Sequence, residues 1–215
     1  MLQNHTIREV AMKLSSKVAF AVTFTAAFTV SSASRATGPK ATVVRGHQRI
    51  NELLRLEKRA PARAKVLDAK IRKIVEHLMD FPTLAKRSLG RRFRELDEAK
   101  KREYISLFTQ LVESSYLRKL KGRLDYDIQY GKPESQGSIA TVPLVVIRHR
   151  KGRKSTTEIT YRLHKQGGSW KIVDVVTNQV SLTRNYRRSF GRIWRREGYE
   201  GLIRKMKRKI GKLNR

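Results

Sequence analysis

The stretch SWKIVDVVTNQVSLTRNYRRSF, residues 169–190, changes its period part-way along. Trp170, Ile172, Val173, Val175 and Val176 give it the β-branched and aromatic density of a strand. From Leu182 the apolar positions move to Tyr186, Phe190, Ile193 and Trp194, the spacing of one helix face, and Ser181 stands where a helix N-cap belongs. A strand therefore passes into a helix here. Asp174 is out of place in so apolar a strand: it either points at solvent or is hydrogen-bonded to a partner such as Arg or Tyr.

Upstream of this junction the period is two. DYDIQY (125–130), IATVPLVVIRH (139–149) and TTEITYRLH (156–164) read as three further strands, separated by Gly131-Lys132-Pro133, Lys151-Gly152 and Gln166-Gly167-Gly168. Ile159, Tyr161 and Leu163 alternate with Glu158, Thr160 and Arg162, giving one dry and one wet face. The second strand is apolar on both sides and belongs in the centre, although Pro143 calls for a bulge or an edge position. Before the sheet the period is helical. Val66, Leu67, Ile71, Ile74, Val75 and Leu78 form one stripe. Pro82 starts a short helix that Gly90 ends, and Asp97 caps a longer helix carrying Tyr104, Ile105, Phe108, Leu111 and Val112. Downstream of Gly198 a last helix sets Tyr199, Leu202, Ile203, Met206, Ile210 and Leu213 against a face of Arg204, Lys205, Lys207, Arg208, Lys209 and Lys212. Helices, an antiparallel meander of four strands, then helices make an α+β fold with helices packed on the sheet. A curved sheet closed in this way leaves a concavity suited to an apolar ligand.

The N-terminus points to export. Lys13 and Lys17 precede the uncharged run Val18–Val30, and SSASRA follows with small residues at Ser34 and Ala36, the pattern of a secretory signal peptide over residues 1–36. Met12 offers a tidier start than Met1. Residues Thr37–Val43, with Gly38 and Pro39, read as a linker, and 37–62 as linker plus a first short helix; residues 63–213 form the main domain. The chain carries 49 Lys and Arg against 18 Asp and Glu, a net charge of +31, so its surface is drawn to polyanions, either nucleic acid or an anionic membrane. Export favours lipid and cell wall over nucleic acid. The basic last helix, with its apolar stripe, suits a membrane surface, and no RNP, KH or helix-turn-helix signature accompanies the aromatics.

Catalytic signatures are missing. There is no cysteine, and the five histidines (5, 47, 77, 149, 164) fall in no metal spacing. Neither a nucleophile elbow nor a glycine-rich phosphate loop occurs. An enzyme on this scaffold would have only Asp174, His164 and the tyrosines for acid–base work.

The order of pieces resembles the MlaC family, the toluene-tolerance auxiliary components of ABC transporters. The resemblance is carried by MDFPTLAKRSLGRRF (79–93), YISLFTQLVESSYLRKL (104–120), TYRLHKQGGSWKIVDVV (160–176) and above all VSLTRNYRRSFGRIWRREGYEGLI (180–203), and spans roughly Arg63 to Leu213. It implies an NTF2-like fold around a phospholipid cavity. It further implies a non-enzymatic carrier in the periplasm of a Gram-negative bacterium, shuttling lipid between an outer-membrane lipoprotein complex and an inner-membrane MCE–ABC transporter, with the lipid as cargo and no cofactor. The lining expected on that reading, chosen by face and period, is Tyr104, Phe108, Leu111, Val142, Leu144, Tyr161, Val173, Tyr186 and Phe190. Two departures stand out: Asn178-Gln179 where the family usually has an acidic residue and a glycine, and Arg92-Phe93 where an aromatic pair ending in tryptophan is common.

Overall fold

The computed structural model describes residues 38–120, 126–150 and 153–214. The signal peptide expected over residues 1–36 and the turn at Lys151-Gly152 lie outside them. Five helices and six strands follow in order: α1 (Pro39–Arg59), α2 (Ala64–Leu78), α3 (Phe81–Leu89), α4 (Glu98–Leu120), β1 (Tyr126–Tyr130), β2 (Glu134–Gln136), β3 (Ile139–Arg150), β4 (Arg153–Gln166), β5 (Ser169–Thr177), β6 (Val180–Ser181) and α5 (Leu182–Leu213).

Within the linker expected at Thr37–Val43, Pro39–Val43 are instead the opening of α1, while Thr37 lies outside the described residues. Pro39 occupies the first turn, where its fixed φ suits a helix and its missing N–H costs nothing, and Gly38 precedes it in extended backbone. Val43, one turn in, is 1% exposed and packs in the sheet core. Asp80 caps α3 through Thr83 N at 3.0 Å. At the other end of α3, Gly90 turns the chain at φ 68°, and Arg187 of α5 donates from Nε to the carbonyl of Arg87 at 2.9 Å. Asp97 starts α4 by accepting from Lys100 N at 2.7 Å. The two helices expected after the sheet are the two arms of α5, which kinks at Gly198, where φ is +64°.

The sheet has six strands rather than four, ordered β1-β3-β4-β5-β6 and antiparallel throughout, with β2 also on β3. The extra strands are short because each continues an edge. β1 pairs Leu144–Arg148 and β2 pairs Ile139–Thr141, so together they form one interrupted strand along the same side of β3. Pro143 lies opposite the interruption. Its carbonyl accepts from Gly131 N at 2.9 Å, so the side on which it lacks a donor faces the gap rather than β4. A Cβ at Gly131 would stand 2.9 Å from Pro143 Cγ, which explains the glycine. Asn178 and Gln179 form the two-residue turn between β5 and β6, with φ of +43° and +66°, and Asn178 Oδ1 accepts from Glu158 N at 3.0 Å.

Asp174 explains how β5 feeds α5. It is 3% exposed, and its carboxylate accepts from Ser181 Oγ at 2.7 Å, Val175 N at 3.0 Å and Thr183 N at 3.2 Å, with Arg162 Nη1 at 3.9 Å. Ser181 Oγ in turn accepts from Arg184 N at 3.2 Å, the helix cap read from the sequence. Of the two alternatives for Asp174, the buried and hydrogen-bonded one holds.

Two apolar cores result. One lies among the helices and holds Ile71, Leu84, Tyr104, Phe108, Leu202 and Met206; the other lies on the sheet and holds Val43, Val142, Leu163 and Trp170. Leu78 and Met79 pack against both, and the peptide between Met79 and Asp80 stitches the α2–α3 corner to β5 through Asp80 N and Ile172 O at 2.9 Å.

Candidate functional site

Where the two cores meet they do not close. A pocket of about 140 Å³ runs along the seam, lined from the helices by Ile50, Val75, Val112, Ser115, Tyr116 and Tyr186 and from the sheet by Tyr161, Ile172 and Val175. A second, of about 430 Å³, extends over the sheet along Ile128, Leu144, Val146 and Ile159 to Tyr126, Arg148, Thr157 and Thr177. The two share His47, Ile50, Tyr116 and Tyr161.

His47, from α1, is the polar element at that junction. Its Nδ1 lies 2.7 Å from the Tyr130 hydroxyl and its Nε2 3.0 Å from that of Tyr161. Burial pulls its pKa down from 6.5 to about 4, so the ring is neutral at ordinary pH. A neutral imidazole has one donor and one acceptor, so one tyrosine donates to the ring and the other accepts from it. Burial also pushes the Tyr130 hydroxyl up to about 12 and raises those of Tyr116 and Tyr161. The junction is thus uncharged, internally hydrogen-bonded and compatible with apolar contents.

A β-bulge arranges the sheet side of the seam. Arg162 pairs with Asp174 and Leu163 with Ile172, so Val173 has no partner on β4. The extra residue inverts the alternation along β5. Without it, Ile172 and Val175, three apart, would point to opposite faces; with it, both line the same pocket.

Of the nine residues expected to line a lipid cavity, three line these two pockets: Leu144, Tyr161 and Tyr186. The other six do not line these two pockets. Phe190 packs edge-on to both Tyr104 and Phe108 inside the helical core, with centroids 6.2 and 6.4 Å apart, and Leu111 lies in the same core. The reason is the position of α4 between its neighbours. Tyr104, Leu107, Phe108 and Leu111 join that helical core, whereas the adjacent stripe Val112, Ser115 and Tyr116 reaches the seam. Val142 is 0% exposed in the sheet core, and Val173 is the bulged residue, buried with its carbonyl accepting from Arg87 Nη1 at 3.3 Å. Period-two reading could not see the bulge. His47 and Tyr116 were missed because α1 was cut short and because a tyrosine and a serine break the apolar stripe of α4.

The MlaC family model, described as MlaC protein, matches residues 46–208. The chain belongs to the MlaC family. The match starts inside α1, earlier than the resemblance at Arg63 had suggested, so the helix that supplies His47 is part of the MlaC unit. Among solved structures, a phospholipid-binding protein from Ralstonia solanacearum, determined in complex with a phospholipid, has the same fold as this MlaC protein: the TM-score is 0.64 at 18% identity, covering 81% of this chain and 98% of that one. No curated protein matches the chain. Among the described residues no group of His, Cys, Asp and Glu could hold a metal ion, and no helix is long and apolar enough to cross a membrane.

Proposed function

We propose that this MlaC protein is a phospholipid carrier that holds acyl chains in the paired pockets and releases them without chemistry. The observation that carries the reading is the seam itself. Apolar walls from both cores stay apart around a neutral His–Tyr junction, where a folded core would ordinarily pack to crystal-like density. The solved relative holds a phospholipid in the same fold, which supports the same ligand class here. Of the residues considered for catalysis, Asp174 is taken up in starting α5 and His164 is exposed on β4.

The finer proposal is a shuttle through the periplasm of a Gram-negative bacterium, between an outer-membrane lipoprotein complex and an inner-membrane MCE–ABC transporter. It rests on family membership and on the export signal expected in the sequence. The basic helix α5 suits an approach to anionic lipid surfaces, with exposed Arg204, Lys207, Arg208, Lys209 and Lys212 on its last arm.

The test is to express the chain with its leader in a bacterial periplasm, purify it and extract bound material for lipid mass spectrometry. Diacyl phospholipid at near-stoichiometric amounts is the expected result. An empty protein that binds RNA with strong salt dependence would overturn the carrier reading.

A further inference from the structure

The larger pocket changes character along its length. The strand register lays its sheet wall in rows. The innermost wall residue is Tyr161, whose partner on β3, Val142, belongs to the sheet core, and the next row sets Leu144 beside Ile159. Further out come Ile128, Val146 and Thr157, and last Tyr126 with Arg148. The distance from the Tyr161 row to the Arg148 row is six residues of β3, roughly 20 Å of strand. The wall thus runs from apolar to cationic, and no carboxylate lines this pocket among the described residues.

Arg148 is half-buried at that outer end. Its Nε is shut away from solvent and has no hydrogen-bond partner among the described residues. A buried guanidinium N–H left unpaired is costly, and the group that best satisfies it is an oxyanion. The neighbours fit the same chemistry. The Tyr126 hydroxyl donates to Asn51 Oδ1, and the positive charges of Arg148 and Arg55 both act on that hydroxyl, opposing the effect of its burial.

We propose that Arg148, with Tyr126 and Asn51 beside it, forms the phosphate-binding end of the larger pocket and takes the oxyanion of an amphiphile whose acyl chain lies along Val146, Ile159 and Leu144. The assignment rests on the carrier reading and adds where the head group sits and what holds it. The ligand class is a phosphodiester or phosphomonoester bearing apolar chains, and the phosphate is held by a charge-assisted hydrogen bond at the rim.

The experiment compares two lipids with identical chains, phosphatidylglycerol and the diacylglycerol lacking the phosphate, bound to the delipidated protein and to its Arg148→Gln and Arg148→Lys variants. Arg148→Gln should weaken phosphatidylglycerol about tenfold and leave diacylglycerol within about twofold, because only the former loses a charged hydrogen bond. Arg148→Lys should recover part of the loss. Inorganic phosphate, matched in ionic strength by sodium chloride, should not displace the lipid. Equal loss for both lipids would make Arg148 a packing residue, and unchanged phosphatidylglycerol binding would remove it from the site; either result overturns the proposal while the carrier reading stands. Displacement by inorganic phosphate would reassign Arg148 to free phosphate. A wild-type protein that binds neither lipid would bring down the carrier reading and this assignment together.

Discussion

Replacing Glu113 by glutamine should change how stability depends on pH, in a direction fixed by two buried groups. Glu113 lies on α4 facing α2, 4% exposed, with Oε2 3.4 Å from Arg72 Nη1 and Oε1 unpartnered among the described residues. Burial, helped by the charge of Glu76 and only partly opposed by Arg72, raises its pKa from 4.5 to about 7. Between those values the folded protein binds a proton that the unfolded chain has lost, so stability falls as pH rises and the loss is complete above about 7. His47 works the other way. Burial lowers it from 6.5 to about 4, so in that window the unfolded chain binds the extra proton and stability rises with pH. Each displacement corresponds to roughly 3 kcal/mol, and the two windows overlap almost completely, so the wild-type contributions nearly cancel. Glu113→Gln leaves the rise from His47 alone. The variant should match wild type near the acid end and exceed it by roughly 1–3 kcal/mol at and above neutral pH. Urea unfolding across this range at constant ionic strength measures both curves. A variant less stable than wild type at mildly alkaline pH would refute the reasoning, because the Arg72 ion pair would then outweigh the cost of burying the charge.

Three further outcomes follow from particular contacts. Asp174→Ala leaves Ser181 Oγ and two backbone N–H groups without their acceptor at the start of α5, and should cost about 3–5 kcal/mol in denaturant titration; a loss under about 1 kcal/mol would mean the cap is dispensable. Gln179→Gly relieves a φ of +66° in the β5–β6 turn and should raise stability by about 0.5–1 kcal/mol, read as a rise in Tm, with an unchanged or lowered Tm counting against strain there. Leu144→Trp should fill the larger pocket and reduce co-purified lipid while circular dichroism stays native, whereas Val142→Trp, at 0% exposure, should cost about 1–3 kcal/mol by overpacking; the same response from both would erase the distinction between wall and core.

The fold class and most element positions could be read along the chain, because local chemistry sets them. Period two gave way to helical period at Ser181, Asp97 and Ser181 carried their caps, and Gly90 and Gly198 marked an end and a kink. The family was legible for the same reason, in segments whose order and spacing are contiguous in the chain. Which apolar residues are wall and which are core depends on contacts made only once the elements pack. On α4, Phe108 and Tyr116 are alike in residue class, yet one is sealed among helices and the other stands on the seam, because that depends on which neighbour each face of the helix meets. On β5, one bulged residue at Val173 inverted the faces, a change of register that no alternation rule records. The polar features of the pockets were hidden likewise: His47, Tyr130 and Tyr161 meet across α1, β1 and β4, and Arg148 shares its rim with Tyr126 and Asn51. Contacts between residues so far apart in the chain are made by packing two cores against each other, and that packing sets the space left between them.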